Sequence, residues 1–437
     1  MTGDAIRQWW ARIADSRHFY VFAYVALVLS SMALLPDLDS FVQGDVRLYQ
    51  DVSQDLINGK LPYRDRTLEY PPYVIPILLL PRLVDGNVMS YPMAFKFQTL
   101  LMDFLLKFLL LWIGRQQTNR LRSFLPLFCY CLVVPFLHFF FLQRYDVWPA
   151  LVCMAGLCLF CSGWYALAGA FFAVGIGLKI YPAIFLPPLF MLAARQQRAR
   201  RFVGGVVAGL MPMILLSFAL PWWRFAEFQG HRGLQCESLF ASAIWFAKRL
   251  GLAQAQWTEV KAWIEVQGTI ADTLLPWARL VFAGAVIFSV SWAAWIAACC
   301  RTLSIGRSAR LLLIPLLAFV AFNQVLSPQY MVWIVPMAAL GLLDGAFTPM
   351  VLLMVAAMVT TIIFPSLAGD YARGLNLGET TVLFFRNLTL IAAWEWLLSE
   401  SMPIIRQAKW PPFTNIRDPV LAASRNNHKT RGLGADN

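Results

Sequence analysis

Apolar stretches of about twenty residues, separated by short polar clusters, recur between residues 19 and 398. A helix needs roughly 20 mainly apolar residues to span the hydrocarbon core of a membrane. In that core, backbone groups find hydrogen-bond partners only in helices or closed barrels, and runs such as residues 203–220 lack the strict alternation of barrel strands. The pattern therefore predicts an all-α, polytopic membrane protein with about twelve transmembrane helices. They are expected near residues 19–35, 91–113, 124–142, 146–162, 165–178, 182–194, 202–220, 274–299, 311–322, 331–343, 348–364 and 382–398.

The apolar segment at residues 71–82 is different from these stretches. It is too short to cross a membrane comfortably, and prolines stand at positions 71, 72, 76 and 81. We expect a half-inserted helix that returns to the side from which it came. A full crossing here would invert every later span.

Composition agrees with this assignment. Of the 437 residues, 59% are hydrophobic and only 14% are charged, and the mean hydropathy is +0.60. The net charge of +12 could suggest a nucleic-acid partner, but the Lys and Arg residues form short clusters between apolar runs. With the spans above, every dense basic cluster falls on one side, as the positive-inside rule requires of cytoplasmic loops. We therefore expect no nucleic-acid partner and both termini in the cytoplasm.

The same topology predicts how the chain is divided. Residues 1–18 form a cytoplasmic amino terminus, and residues 19–398 form one transmembrane domain with long outer loops at 36–90 and 221–273. Residues 399–437 form a polar cytoplasmic tail, which we expect to be disordered. The sequence shows no second globular domain and no repeat at a fixed period.

Polar motifs collect at the predicted outer ends of the spans. Ionisable residues at membrane depth cost roughly 2.5–3.5 kcal/mol, so Lys179 and Arg144 are expected to face a cavity or a partner. Cations lining a cavity on the outer side suit an anionic lipid phosphate. The motifs comprise residues 44–49, 59–65, 69–72, 143–146, 179–182 and 327–330.

Several of these motifs, in this order, resemble glycosyltransferase family 87. They are Asp45, Val46, Arg47, Leu48, Tyr49; Gly59, Lys60, Leu61, Pro62, Tyr63; Tyr70, Pro71, Pro72; Lys179, Ile180, Tyr181, Pro182; and Ser327, Pro328, Gln329, Tyr330 followed by Trp333. The resemblance extends from the first span to about residue 336. It implies the GT-C fold of membrane glycosyltransferases that use polyprenyl-phosphate sugars.

The resemblance also implies an activity. A hexose, most often mannose, would be transferred with inversion from a polyprenyl-phosphate donor to a hydroxyl of a lipid- or glycan-linked acceptor. The reaction would take place on the outer face of the cytoplasmic (inner) membrane of a bacterium, so that the active site faces outward and membrane lipids surround the protein.

Asp45 matches the acidic residue proposed as the general base in such enzymes. An acceptor hydroxyl must lose its proton as the new bond forms, and a carboxylate within about 3 Å can take it. The alternatives are a solvated loop aspartate or an N-cap of a helix beginning near Val46.

The leaving lipid phosphate needs cations and hydroxyls to hold it. We assign this role to Lys179, Arg144, Tyr181, Arg64 and Arg66. Each cation has an alternative interpretation: the stem of Lys179 could snorkel to the interface, Arg144 could pair with Asp146, and the other two arginines could contact lipid headgroups.

The same motifs predict the remaining pocket residues: Tyr49, Glu69, Tyr70, Asp146, Gln329 and Tyr330. Glu69 is either a second acid or an anchor for its loop. Gln329 and Tyr330 are expected to line the pocket rather than to take part in bond making.

Other features predict structure or exclude a type of site. Asp103 and Lys107 are spaced i, i+4 in one span, which predicts a buried ion pair. The four His residues have no metal-ligand spacing, and the paired-acid metal motif of the larger GT-C oligosaccharyltransferases is missing. We therefore expect no metal site and no cofactor, with the lipid-linked sugar as a co-substrate.

Two other functions compete with the enzyme. Twelve spans with both termini inside are also common in secondary transporters, and a flippase or structural subunit of envelope assembly is a third possibility. Transporters tend to place charges and broken helices near the bilayer midplane in two related halves. Here the charged motifs lie at outer span ends and the halves do not resemble each other, which favours the enzyme.

Overall fold

The computed structural model describes residues 18–35, 44–116, 124–230, 232–260, 263–345, 347–363 and 375–407. The predicted amino-terminal segment at residues 1–18 is described only at His18, and residues 36–43 at the start of the first outer loop lie outside the described residues. Of the tail predicted from residue 399, the structure describes residues 399–407, which are helical, and residues 408–437 lie outside the described residues. The described chain is almost entirely helical, so the predicted fold class is confirmed: the protein is an all-α, polytopic membrane protein.

Seventeen α-helices follow one another in the described residues. They are α1 (His18–Met32), α2 (Gly44–Ile57), α3 (Val74–Leu79), α4 (Tyr91–Arg115), α5 (Leu125–Val133), α6 (His138–Phe141), α7 (Val147–Cys161), α8 (Tyr165–Leu178), α9 (Leu186–Arg195), α10 (Ala199–Leu216), α11 (Arg224–Gly230), α12 (Leu239–Arg249), α13 (Thr269–Cys299), α14 (Ile305–Ala321), α15 (Met331–Gly341), α16 (Phe347–Thr361) and α17 (Leu377–Gln407). Short 3₁₀ helices lie at Leu80–Leu83, Val134–Leu137, Tyr181–Phe185, Pro328–Tyr330 and Leu342–Asp344.

Four of the described helices are long and apolar enough to cross a membrane: Tyr91–Arg115, Ala199–Leu216, Thr269–Cys299 and Leu377–Pro403. Other predicted spans contain shorter apolar helices, and prolines divide two of these spans. Pro135 lies in the 3₁₀ turn between α5 and α6, and Pro182 lies in the one before α9. Proline removes a backbone donor and disfavours a continuous α-helix. The number of twelve crossings stays a prediction.

The centre of the bundle is formed by α14 and α15. All eleven residues of α15 are buried, and so are thirteen of the seventeen residues of α14. At the periphery, only 17% of the apolar window of α10 and 22% of that of α13 is buried inside the protein. These two helices therefore present most of their surface to the lipid.

The predicted ion pair in α4 is confirmed. Lys107 Nζ lies 2.6 Å from Asp103 Oδ2, and both side chains are fully buried. Tyr130 Oη donates a hydrogen bond of 2.9 Å to Asp103, and Lys107 donates one of 3.1 Å to Ser31. The pair thereby joins α4 to α1 and α5.

The proline-rich segment after residue 70 forms a short helix, as predicted. The α-helix α3 continues into the 3₁₀ turn at Leu80–Leu83, and the chain then enters α4 at Tyr91. Tyr73 Oη donates a hydrogen bond of 2.6 Å to the carbonyl of Gly209 in α10. Arg82 donates to Ser53 and Asp85, which ties the segment to α2.

The loop between α10 and α13 contains a small sheet that the sequence did not predict. Its strands are β1 (Leu234–Gln235), β2 (Gln256–Val260) and β3 (Trp263–Gln267), antiparallel in the order β1-β3-β2. Val266 of the central strand β3 pairs with Leu234 of β1 on one side and with Trp257 of β2 on the other. Trp245 of α12 packs with Leu234 and Val266 beside the amino-terminal end of α13.

Side-chain contacts at the end of the bundle away from the first outer loop join the connections that were predicted to be cytoplasmic. Arg310 lies 3.3 Å from Glu400, and Ser304 donates a hydrogen bond of 2.7 Å to Asp344. Tyr165 donates to Gln196 at the same end.

Candidate active site

A cavity of about 700 Å³ lies at the end of the bundle opposite the contact between Arg310 and Glu400. Its walls come from the start of α2, the connection before α3, α6 and the turn before α7, the end of α8, the loop that contains the sheet, α13, the end of α14 and the turn before α15. The polar and charged residues that line it are Asp45, Glu69, Tyr70, Arg144, Lys179, Tyr181, Arg232, Gln235, Glu237, Arg279, Asn323, Gln324, Ser327, Gln329 and Tyr330.

Asp45 forms an ion pair with Arg144 in this cavity. Helix α2 begins at Gly44, so Asp45 lies in its first turn, where the positive end of the helix dipole favours a carboxylate. Arg144 follows the end of α6 by three residues and projects from the opposite wall. The structural alternatives predicted for these residues do not hold. Asp45 lies inside the first turn of the helix, neither in a loop nor before the helix as an N-cap. The ion-pair partner of Arg144 is Asp45 rather than Asp146.

Lys179 forms a second ion pair at the end of α8. Its Nζ atom lies 2.6 Å from Asp146 Oδ1, and the indole of Trp333 donates a hydrogen bond of 2.8 Å to the same oxygen. The ammonium also lies 4.9 Å from the ring centroid of Tyr145 and 5.1 Å from that of Trp333, within the range of cation–π contacts. Lys179 therefore directs its charge into the protein rather than snorkelling outward.

Aromatic rings form one wall beside Lys179. Tyr181 and Tyr330 both stack on Trp333, with centroid distances of 4.2 and 4.3 Å. Each of these rings comes from one of the motifs at the span ends. Burial raises the pKa of Tyr330 to about 12, so its hydroxyl stays protonated and available as a donor at neutral pH.

Tyr49 and Asp146 lie immediately behind the cavity wall. The Tyr49 ring is fully buried and packs edge-on against Tyr70 and Tyr145, with both centroid distances 6.0 Å. Asp146 is 1% exposed and acts on the cavity through Lys179. Both positions support the residues that line the site.

Arg64 and Arg66 were predicted to bind the donor phosphate, but they lie away from the cavity. Arg66 pairs with Asp55 at 3.3 Å, and the Arg64 side chain is 68% exposed beside Asp65. The reason is the turn at Tyr63, which has a φ of 66°. It turns the buried Tyr63 inward, where its hydroxyl donates to the carbonyl of Tyr70, and leaves its neighbours on the surface.

The structure adds cavity residues that the sequence motifs missed: Arg232, Glu237, Arg279 and Gln324. The first two lie in the loop that contains the sheet, for which no role was predicted. Glu237 Oε2 lies 3.3 Å from Arg386 Nη2, and both side chains are buried. Burial raises the pKa of Glu237 to about 7, although the nearby Arg386 opposes this shift. A lone arginine within a predicted span needs a partner, so Arg386 was the signal that could have led to Glu237.

The described part of the chain contains no group of three His, Cys, Asp or Glu side chains that could hold a metal ion. The cavity brings together two ion pairs, a buried carboxyl group, further arginines and aromatic rings.

The sequence matches no known family model and no curated protein. Among solved structures, the chain is similar to the crystal structure of ArnT from Cupriavidus metallidurans in the apo state, with 15% sequence identity and a TM-score of 0.46. That similarity covers 88% of this chain and 76% of the other.

Proposed function

We propose that this protein is a polyprenyl-phosphate-sugar-dependent hexosyltransferase. The observation that carries the proposal is the position of Asp45 in the same cavity as Arg144 and Lys179. A transfer from a lipid phosphate to a hydroxyl needs a carboxylate to accept a proton and cations to hold the leaving phosphate, and these residues supply both within one enclosure.

The proposed reaction begins with an acceptor hydroxyl beside Asp45. The carboxylate takes the proton, the acceptor oxygen forms a bond to the anomeric carbon, and the bond from that carbon to the phosphate oxygen breaks. Polyprenyl phosphate leaves with both bonding electrons. Attack from the face opposite the phosphate inverts the configuration.

The cations differ in how they could bind the phosphate. Arg144 pairs with Asp45, so an incoming phosphate would compete for the guanidinium and release the carboxylate to act as the base. Lys179 keeps Asp146 as a partner and adds a nearby positive charge. Tyr330 lines the same wall and can add a neutral hydroxyl donor. The predicted role of Tyr181 as a phosphate donor does not fit, because its hydroxyl points to the buried Cys153 Sγ, 3.9 Å away.

The finer assignment rests on the resemblance to family 87. It favours a mannose-like hexose, a lipid- or glycan-linked acceptor and a reaction at the outer face of a bacterial inner membrane. The competing function is a secondary transporter or a flippase. The cavity lies at one end of the bundle, whereas transporters usually bind their substrates near the midplane, and this position favours the enzyme.

The test is transfer by purified protein. Full-length protein in lipid nanodiscs is incubated with a panel of polyprenyl-phosphate hexoses and lipid acceptors, and donor consumption and product are followed by mass spectrometry. We expect one donor to be consumed and the Asp45→Asn variant to be slower by about 10² to 10⁴. Asp51→Asn is the matched control, because Asp51 lies on the exposed face of the same helix.

Two results would refute the proposal. One is wild-type activity in the Asp45→Asn variant. The other is movement of the intact lipid-linked sugar across the membrane without any cleavage of its sugar–phosphate bond, which would indicate a flippase.

A further inference from the structure

Arg279 lies where the cavity meets the lipid-facing surface of the bundle. It lines the cavity and is itself exposed, so it stands at the rim. Its neighbours on α13 are apolar and also exposed: Trp277 by 61% and Leu280 by 63%. On the inner side of the same rim, Phe282 of α13 packs edge-on against Phe319 of α14, with centroids 5.5 Å apart.

The position of Arg279 along α13 corresponds to the outer boundary of the hydrocarbon core. Helix α13 ends at Cys299, twenty residues after Arg279, and twenty residues of α-helix rise about 30 Å, the thickness of that core. The exposed Trp277 just above fits the belt of tryptophans at membrane interfaces. Lipid phosphate groups lie at this level.

The charge of Arg279 is directed at neutral acceptors. Its Nε atom donates to Gln324 Oε1 at 2.9 Å, and Nη2 donates to the carbonyl oxygens of Gly230 and Arg232 at 3.0 and 3.2 Å. Each contact that the structure gives for this guanidinium within the described ranges is therefore to an uncharged oxygen. A cation at the edge of an apolar surface is stabilised strongly by an anion.

Further cations continue from this rim into the cavity. Gln324 Nε2 donates to the carbonyl of Arg232 at 3.0 Å, which fixes that residue beside Arg279. Arg232 lines the cavity together with Arg144, which pairs with Asp45. A phosphate bound at the rim would thus find two further arginines, Arg232 and Arg144, in the same cavity, which also contains the carboxyl groups of Glu69 and Glu237.

We infer that Arg279, held by Gln324, forms an anion-binding site at a lateral opening between α13 and α14, which takes the phosphate group of a polyprenyl monophosphate lipid. The prenyl chain stays in the bilayer and passes over Phe282 and Phe319. The assignment of the lipid rests on the proposed function. The site itself is distinct from the phosphate contacts proposed for Lys179 and Arg144.

The experiment measures binding without catalysis. Full-length protein in phosphatidylcholine nanodiscs is titrated with a polyprenyl monophosphate that carries no sugar, and bound lipid is quantified by native mass spectrometry. We expect Arg279→Gln to weaken binding about tenfold or more, which corresponds to the loss of a charge-assisted hydrogen bond. Arg249→Gln is the control, because Arg249 is an exposed arginine on α12 that does not line the cavity.

A second variant separates binding from a role in holding the loop. Arg279→Lys keeps the charge but loses the planar fork that reaches Gln324 and the two carbonyls. If Arg279 binds phosphate, the Lys variant binds more tightly than the Gln variant. Equal loss in both variants would show that the residue only anchors the loop, and unchanged binding in the Gln variant would also overturn the site.

Competition identifies the source of the phosphate. Inorganic phosphate and phosphatidylglycerol should displace the polyprenyl phosphate far less well than unlabelled polyprenyl phosphate does. Displacement by phosphatidylglycerol at equal concentration would show contact with bulk lipid and would overturn the inference.

The outcome is separable from the proposed function. Binding that depends on Arg279, in a protein that transfers no sugar, would leave the site standing and refute the enzyme. Sugar transfer by the protein, with lipid binding unchanged in Arg279→Gln, would support the enzyme and refute the site.

Discussion

Lys179 and Asp146 show how a single residue pair sets the charge of the cavity wall. The Lys179 side chain is 14% exposed and that of Asp146 is 1% exposed, so both charges are largely removed from water. Their mutual attraction, together with the hydrogen bond from Trp333, offsets that desolvation. The cavity therefore receives a positive charge that is held in one place.

Asp146→Asn should destabilise the protein by about 3–5 kcal/mol, because it leaves the Lys179 ammonium buried without its anion. The double variant Lys179→Met with Asp146→Asn should recover much of that stability, since both charges are gone. Thermal unfolding in detergent measures the stability of both variants. Donor consumption by the double variant measures what the Lys179 ammonium contributes to transfer. Wild-type transfer by the double variant would contradict a role for Lys179 at the phosphate.

Glu237 should make stability depend on pH. Its pKa is raised from 4.5 to about 7 by burial, so the folded protein binds this proton more tightly than the unfolded chain does. The corresponding stabilisation is complete below about pH 4.5 and is lost as the pH rises through about 7. We expect this component of the thermal midpoint to disappear in Glu237→Gln, which stays neutral and can still hydrogen-bond to Arg386.

The control for this titration is Glu227→Gln, which changes an exposed glutamate in the same outer loop. It should keep the wild-type dependence on pH. The same slope in Glu237→Gln as in the wild type would show that the Glu237 carboxyl does not titrate in this range.

At the scale of elements, the packing of α8 against α10 depends on glycines. A Cβ atom at Gly205 would overlap the carbonyl oxygen of Ala166, and one at Gly169 would overlap that of Phe202. Small residues at membrane helix interfaces let backbones approach in this way. The approach matters for the site because Lys179 directly follows the end of α8 and α10 receives the hydrogen bond from Tyr73.

Gly205→Ala should separate the two helices and lower both the thermal midpoint and the rate of transfer, because the added methyl group meets backbone that cannot rotate away. Its neighbour offers a matched control. A Cβ atom at Gly204 would meet nothing within 4 Å, so Gly204→Ala should be neutral or slightly stabilising. Equal effects of the two substitutions would contradict close packing of α8 on α10.

The elements also show what hydrophobic patterning can predict. The long apolar runs, the short helix after Pro72 and the Asp103–Lys107 pair follow from composition and spacing within one stretch of chain. The division of the span at Pro135 and the sheet around Val266 do not, because they depend on local backbone geometry and on packing between distant segments. Residues such as Glu237 and Arg279 were missed for the same reason, since only tertiary contacts bring them to the cavity.

At the scale of the whole molecule, the candidate site depends on which ends of the helices meet. The charged motifs at Asp45, Arg144 and Lys179 meet in one cavity, while Arg310 and Glu400 meet at the other end. This separation agrees with the placement of basic clusters on one side. The side of the membrane that each end faces stays a prediction from the positive-inside rule.

Labelling of single cysteines tests that prediction. Arg64→Cys places a thiol at a position whose side chain is 68% exposed in the first outer loop, and Arg200→Cys places one at an exposed position in a basic cluster at the opposite end. Because the basic clusters are expected in the cytoplasm, a membrane-impermeant maleimide applied to intact cells should label position 64 and not position 200. After permeabilisation both should react, with the wild type, which retains its eight native cysteines, as the blank. Labelling of position 200 alone in intact cells would place the cavity in the cytoplasm and would remove the basis for an outward-facing transfer reaction.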